Sequence, residues 1–168
     1  MRPARTRWPR PCIPLRPGRW PMQIAIRPFV EADITAALTL WRATPGVGLS
    51  AADEPDALAR YLARNPGLSL VAEFRGTLVG TLLCGHDGRR GLIHHLVAAP
   101  GHRRQRIGQR LVCAGLQGLR AQGIDKCHLM VFKDNQIGQS FWQAMGARHR
   151  GDLALFSLET GRTEDPCR

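Results

Sequence analysis

A basic turn that leads directly into an apolar-periodic segment is the part of the chain best suited to binding a phosphate-bearing ligand. It reads Leu96-Val-Ala-Ala-Pro-Gly-His-Arg-Arg-Gln-Arg-Ile-Gly-Gln-Arg-Leu111. This pattern predicts a strand, a tight turn and then the first turns of a helix. A helix N-terminus presents unpaired N–H groups and a partial positive charge, so its backbone binds phosphate oxygens, and the arginines of the segment would add charge-assisted contacts. A solvated basic loop explains the same residues equally well.

The elements before this turn are predicted to supply two helices and most of a sheet. A strand-like run begins at Met22, and Ile34, Leu38 and Trp41 recur with helical spacing. After a glycine-containing loop, Asp53 can cap a second helix. Three antiparallel strands are then predicted at 68–74, 77–85 and 91–98.

The elements after the turn complete the predicted sheet. The helix that the turn opens continues to about Gly123, and a strand is expected at 126–132. Asn135 can cap a further helix that ends at Gly146. Two short strands at 147–150 and 153–158 would close the sheet. The predicted order, βααβββαβαββ, is that of an α/β (α+β) domain.

The net charge of +11 suggests a nucleic-acid partner until it is divided along the chain. Residues 1–21 hold six arginines and no acidic residue, so residues 22–168 carry 18 basic against 13 acidic groups, a balance of +5. This smaller excess favours an anionic ligand. Aromatic residues make up 6% of the chain and are not interleaved with basic ones. Base stacking is therefore disfavoured, and a nucleic acid ranks last among the partners.

Length, hydropathy and cysteine use bound the class of protein. The 168 residues suit one domain, and no apolar run approaches the roughly 18 to 20 residues of a membrane span. We therefore expect a cytoplasmic protein without a membrane partner. The five cysteines are scattered and form no C-x-x-C pair, which indicates reduced thiols and no metal site.

Composition also divides the chain into a domain and two tails. Residues 1–21, rich in proline and arginine, are predicted to be a disordered tail or a mis-assigned start before Met22. Residues 22–160 are predicted to form the folded domain. Residues 161–168 are expected to be a flexible C-terminal tail.

The element order and two motifs together resemble the GNAT superfamily of acyl-CoA N-acyltransferases over about residues 22–160. The motifs are Arg103-Arg-Gln-Arg-Ile-Gly108 and Asn135-x5-Phe141-Trp-x3-Gly146. The resemblance implies a mixed, mostly antiparallel sheet that splays between its fourth and fifth strands, with helices on both faces. Four shorter stretches, at 64–69, 85–91, 93–96 and 124–128, together resemble a bacterial subgroup without an agreed substrate.

By that resemblance, the coenzyme would lie between the splayed strand and the turn that follows it. The strand would offer backbone groups to the pantetheine arm, and an N–H near Val97 would hold the developing oxyanion. The turn would bind the pyrophosphate, and Asn135 would both cap its helix and hydrogen-bond the coenzyme. The implied coenzyme-binding residues are Leu96, Val97, Ala98, Arg103, Arg104, Gln105, Arg106, Ile107, Gly108, Gln109, Arg110 and Asn135.

One position departs from the family's pyrophosphate pattern, R/Q-x-x-G-x-G/A. Arg103 and Gly108 match its ends, whereas Arg106 stands where the pattern has its middle glycine. That glycine lets the backbone approach the pyrophosphate without a side chain in the way. Arg106 either points outward, adds a phosphate contact or obstructs the loop, and we favour the first two outcomes.

The mechanism that the resemblance implies is direct attack of an amine on the thioester, which needs a proton acceptor. A histidine with an ordinary pKa near 6.5 suits this step. His94 and His95 lie just before the splay, and strand alternation predicts that they occupy opposite faces. The family's bases favour the face of His94, which makes His94 the candidate catalytic residue. Two half-exposed strand histidines without a catalytic role are the alternative.

A proton donor for the departing thiolate is harder to assign. Many family members use a tyrosine of the fourth helix, and here Trp142 occupies the matching position. Solvent or another side chain would then protonate the thiol, and Trp142 is expected to line the acetyl or substrate pocket or to pack in the core. By the same resemblance, the first two helices and the loop between them, residues 44–56, would recognise the substrate. The acidic residues Asp53, Glu54 and Asp56 near the end of this loop are expected mainly to cap the second helix, with attraction of a cationic amine as the alternative.

The predicted function is therefore transfer of an acetyl group from acetyl-CoA, as co-substrate, to an amine of an unidentified small molecule or protein. The alternative is a catalytically inactive acyl-CoA-binding module, because Arg106 and the missing tyrosine both depart from the family pattern. The sequence is compatible with a homodimer and leaves the acceptor unnamed.

Overall fold

A computed structural model describes residues 24–158 of the chain. The predicted tails, 1–21 and 161–168, lie outside the described residues, as does the start of the first strand at Met22. The described strands are β1 (Ile24–Pro28), β2 (Leu70–Phe74), β3 (Thr77–His86), β4 (Gly91–Ala98) and β5 (Cys127–Leu129). The α-helices are α1 (Ile34–Arg42), α2 (Pro55–Arg64), α3 (Ile107–Ala121) and α4 (Gln136–Ala144).

The strands form one mixed sheet in the order β1-β2-β3-β4-β5. Neighbours are antiparallel except β4 and β5, which are parallel and pair only from Gly91 to Ile93 on β4. Beyond Ile93, β4 continues to Ala98 beside β3 alone, while β5 ends at Leu129. The predicted fold class and the splay between the fourth and fifth strands are confirmed.

Helices cover both faces of the sheet because the strands alternate apolar side chains between them. Helices α1 and α2 pack on one face, where Val71, Leu83 and Val97 point. Helices α3 and α4 pack on the other, where Leu70, Leu82 and Ile93 point. The predicted apolar stripe of α1, formed by Ile34, Leu38 and Trp41, is buried.

The end of the sheet differs from the prediction. No strand forms at 147–150 or 153–158, although the second segment is apolar at five of its six positions. Its side chains stay exposed, from 61% for Leu153 to 89% for Leu158. Strand β5 spans three residues rather than the predicted 126–132, so it offers only a short edge on which further strands can pair.

Candidate active site

The splay leaves backbone groups of β4 without a strand partner on one side. Ala99 N donates to Val79 O at 2.8 Å, and antiparallel pairs alternate between hydrogen-bonded and non-hydrogen-bonded positions. The N–H of Val97 therefore faces β3, whereas the N–H groups of Leu96 and Ala98 face the opening. The backbone N–H of Val97 itself is therefore turned away from the opening, and those of its two neighbours are turned toward it.

The basic turn after β4 has a backbone shape that usually requires glycine. Arg104 and Arg106 have φ values of 61° and 57°, in the left-handed region, which costs a residue with a side chain about 1–2 kcal/mol. Arg106 is the residue before the first turn of α3. The glycine-like turn therefore forms with an arginine at this position, and that arginine is exposed to solvent.

Helix α4 packs against the N-terminal turn of α3. A Cβ placed on Gly108 would lie 3.4 Å from the Phe141 ring, and Trp142 contacts Phe141 edge to face at 5.2 Å. Trp142 is half-buried and packs against the core on the α3 face. Asn135 caps α4, since its Oδ1 accepts a hydrogen bond from Gly138 N at 2.8 Å.

A β-bulge places both histidines of β4 on the α1/α2 face. Leu96 pairs with Leu82 and Ile93 with Cys84, so two residues of β4 oppose one residue of β3. His94 packs edge-on against Tyr61 of α2 at 5.4 Å between ring centroids, and His95 packs against Trp41 of α1 at 4.4 Å. The predicted placement on opposite faces is wrong, because the extra residue of the bulge breaks the alternation.

His95 is also held by a carboxylate. Its Nε2 lies 2.6 Å from Asp53 Oδ1, and the other oxygen of Asp53 accepts a hydrogen bond from Ser50 N at 2.8 Å. Asp53 is buried and belongs to a short 3-10 turn at 51–53, while Glu54 is the N-cap of α2. The pair was missed from the sequence because its members lie 42 residues apart and the carboxylate resembled a helix cap.

The surroundings of His94 keep it neutral. Burial lowers its pKa below the ordinary value of 6.5, the neighbouring His95 lowers it further, and Asp53 partly opposes both. Tyr61 is similarly affected, since burial raises its pKa. Its hydroxyl is buried and has no hydrogen-bond partner among residues 24–158. Both shifts favour the neutral form, so His94 binds a proton less readily than an exposed histidine does, and Tyr61 resists losing its proton.

The loop between α1 and α2 contacts the connection between β5 and α4. A Cβ on Gly46 would lie 2.9 Å from Asn135 Nδ2, and one on Gly48 would lie 2.6 Å from the Phe132 ring. A side chain at either position would collide with these neighbours, so both positions require glycine. The same loop also holds Asp53, which contacts His95 of β4. The loop therefore contacts both sides of the splay, β4 on one side and the connection after β5 on the other.

Two classes of site do not occur in the described part of the chain. No group of three or more His, Cys, Asp or Glu side chains in residues 24–158 is arranged to hold a metal ion. No helix in this range is both long and apolar enough to cross a bilayer.

Comparison with known structures shows the fold. The PaiA N-acetyltransferase of Thermoplasma acidophilum, solved in complex with coenzyme A, has a TM-score of 0.66 at 20% identity, covering 74% of this chain and 89% of that one. The diaminobutyrate acetyltransferase EctA of Paenibacillus lautus has a TM-score of 0.63 at 19% identity, covering 73% and 74% respectively.

Sequence relatives and a family model agree with this fold. An acetyltransferase of Pectobacterium atrosepticum is 37% identical over 110 residues, or 66% of this chain and 77% of the relative. An acetyltransferase of Sodalis glossinidius is 33% identical over 120 residues, or 71% and 84%. Residues 34–147 match the model described as the acetyltransferase (GNAT) family. With its splayed sheet and the turn that opens α3, this chain belongs to the acetyltransferase (GNAT) family.

Proposed function

We propose that the protein transfers the acetyl group of acetyl-CoA to an amine. Membership of the family supports acetyl transfer with acetyl-CoA as co-substrate. The observation that carries the proposal is the splay, because β4 runs on past Ile93 without β5 and ends at the turn into α3. An extended backbone edge and a helix N-terminus thus follow each other directly, which suits an extended arm that ends in phosphates.

Each part of this region has a proposed role toward the coenzyme. The N–H groups of Leu96 and Ala98 bind the pantetheine arm and the acetyl carbonyl, and Val97 fixes the strand by burying its side chain. The turn and the first N–H groups of α3 bind the pyrophosphate, and the arginines add charge. Asn135, at the start of α4, is proposed to hydrogen-bond the coenzyme. The residues proposed for the turn are Arg103, Arg104, Gln105, Arg106, Ile107, Gly108, Gln109 and Arg110.

The proposed reaction is a direct transfer in which the amine nitrogen attacks the thioester carbonyl carbon. A C–N bond forms and the C–S bond breaks, while the N–H groups that face the opening stabilise the oxyanion. The ammonium proton passes to a histidine of the bulge, for which His94 is the sequence-based candidate. The thiolate, whose pKa of about 8.5 makes it a tolerable leaving group, departs and takes up a proton from solvent, while the nitrogen releases its second proton to solvent as the amide forms. Trp142 is proposed to border the acetyl end.

The acceptor is proposed to enter on the α1/α2 face, where both histidines point. There the loop from α1 to α2 already contacts Phe132 and Asn135 through Gly48 and Gly46. This bridge narrows the opening between the arms of the sheet. A slender amine therefore fits the entrance better than an amine on a broad, folded surface.

The first test is calorimetric titration of the full chain with acetyl-CoA, with CoA and ATP as controls. A panel of polyamines, amino acids and short peptides then follows, with thiol release and acetylated product as readouts. Selective binding of acetyl-CoA and acetylation of an amine are expected. Binding without turnover of any amine would favour the inactive acyl-CoA-binding module. Absence of binding would overturn the coenzyme site as well.

A further inference from the structure

Asp53 and His95 form a second arrangement at the bulge that the mechanism above leaves unused. His95 Nε2 is engaged by the carboxylate, at 2.6 Å from Oδ1. The side chains of both residues are largely buried, with 13% of His95 and 10% of Asp53 exposed. The backbone N–H of Ser50 donates a hydrogen bond to the other carboxylate oxygen, Asp53 Oδ2, at 2.8 Å. The Ser50 hydroxyl lies 3.3 Å from the same oxygen.

The other ring nitrogen of His95, Nδ1, is still open to a ligand. It makes no hydrogen bond within residues 24–158. In that range, the Tyr61 hydroxyl is the one buried side-chain polar atom that lacks a partner. Nδ1 also lacks a partner but is not among these buried atoms, so it is accessible to solvent. Because Asp53 accepts a hydrogen bond from Nε2–H, Nδ1 carries the lone pair.

We propose that His95, oriented by Asp53, is the group that takes the proton of the acceptor amine, with His94 lining the pocket beside it. The inference rests on the proposed acetyl transfer and deepens it. One proton of the ammonium ion moves to His95 Nδ1, and the freed lone pair forms the C–N bond. As the C–S bond breaks, a second nitrogen proton passes through solvent to the departing thiolate sulfur. The resulting imidazolium stays paired with the Asp53 carboxylate until solvent removes its proton.

The contacts of the two histidines favour His95 for this role. A base that a third group orients is held in one tautomer, and its charged form is stabilised by the carboxylate. The His95 ring also lies against Trp41, whose Nε1 donates to Thr81 Oγ1 at 2.8 Å inside the core. His94 makes a ring contact with Tyr61, and no hydrogen bond within residues 24–158 fixes its tautomer.

The charges around the pair indicate the class of acceptor. The titratable groups that face His95 are Asp53 from the loop and His94 from β4, with Tyr61 of α2 behind His94. Asp53 is the one carboxyl group among them, so the surroundings of the pair favour a cation. The acceptor is therefore a primary aliphatic amine that arrives as its ammonium ion and must lose a proton before attack.

Kinetics of matched variants test this assignment. With an amine that the panel identifies, His95→Gln is expected to lower kcat by about 100-fold or more, and Asp53→Asn by roughly 10-fold to 100-fold. The KM for acetyl-CoA should not change in either. His94→Gln should cost less than tenfold, and the exposed Asp56→Asn, three residues from Asp53, should cost nothing. A larger loss for His94→Gln than for His95→Gln would overturn the assignment.

A second measurement keeps the inference testable even when no amine is acetylated. Nitrogen NMR of histidine-labelled full-length protein, with His95→Gln for assignment, reports the tautomer of His95 directly. The Nε2–H tautomer is expected in the unmodified protein, a mixture in Asp53→Asn, and a shift of Nδ1 on titration with n-butylamine. An Nδ1–H tautomer, or no response to n-butylamine, would overturn the inference. Failure of the panel alone would count against the proposed function.

Discussion

The two faces of the splay present polar groups by different means. On the side proposed to bind the coenzyme, here the coenzyme side, the groups that face the opening are backbone N–H groups of β4 and of the first turn of α3. On the side proposed to bind the acceptor, here the acceptor side, they are side chains, chiefly His94, His95 and Asp53. A backbone group survives most substitutions, whereas a side-chain group depends on one residue type. The coenzyme side is therefore the more tolerant of sequence change, as Arg106 in its left-handed position illustrates.

The acceptor side also depends on contacts between distant segments. Trp41 and Thr81 are 40 residues apart, and Asp53 and His95 are 42. These contacts form only when both helices dock on the sheet. The chemistry proposed for this face is thus a product of tertiary packing, whereas the turn into α3 is a local structure within one short segment.

The largest effect is expected from a negative side chain at the start of α3. Gly108→Glu should lower the affinity for acetyl-CoA by about 100-fold, because a carboxylate beside the proposed pyrophosphate site repels it by roughly 1–4 kcal/mol. The helix itself should form normally, since a negative charge in the first turn favours the helix dipole. Calorimetric titration with acetyl-CoA measures the loss.

The matched control for this variant is Gln117→Glu, which adds the same charge at an exposed position of the same helix. It should leave the affinity within about twofold, because the added charge is remote from the turn and screened by salt. Equal losses in both variants would indicate a general charge effect and would contradict a phosphate site at the N-terminus of α3.

A smaller effect is expected from pH on the acceptor side. His94 has a lowered pKa in the folded protein, first through burial and then through His95. As the pH falls below about 6.5, the unfolded chain therefore binds more protons than the folded one. The free energy of unfolding should decrease on acidification. Urea denaturation at a series of pH values measures this slope.

His94→Gln isolates the contribution of this histidine to the slope. Stability should then decrease less on acidification than in the unmodified protein, with the difference growing below pH 6.5 and vanishing above pH 8. The unmodified protein, measured at the same pH values, is the reference. Parallel slopes for His94→Gln and the unmodified protein would show that His94 is not desolvated as the structure indicates.

The contrast between local structure and tertiary packing also explains how much of the molecule could be predicted from its sequence. The helices and first four strands follow from periodicity, and the turn into α3 follows from local composition. Asn135 was predicted as a helix cap from its position before an apolar-periodic segment, and its side chain caps α4. Each of these features depends on residues close together in the chain.

The features that escaped prediction depend on residues far apart. The bulge at His94 and His95 is a mismatch between β3 and β4, so alternation along one strand cannot predict it. Asp53 meets His95 only when the loop between α1 and α2 packs against β4. The segment at 153–158 shows the reverse case: it is as apolar as a buried strand, yet the short β5 gives it no long edge on which to pair.

The smallest predicted effect tests whether the coenzyme side is truly built from backbone. Arg106→Gly removes a side chain from a left-handed residue, which relieves about 1–2 kcal/mol of strain but adds about 0.5–1 kcal/mol of chain entropy on unfolding. The free energy of unfolding should therefore rise by about 0.5 kcal/mol, as measured by urea denaturation. If backbone groups carry the binding, the affinity for acetyl-CoA should change less than threefold.

Arg103→Gly is the appropriate comparison, because it removes the same charge from a residue whose φ is −63°. It relieves no strain, so it should destabilise the fold slightly, by about 0.5 kcal/mol or less. A tenfold loss of affinity in Arg106→Gly alone would mean that the Arg106 side chain binds phosphate directly. The coenzyme side would then depend on a particular side chain at this position, as the acceptor side depends on His95, and the contrast between the two faces would fail there.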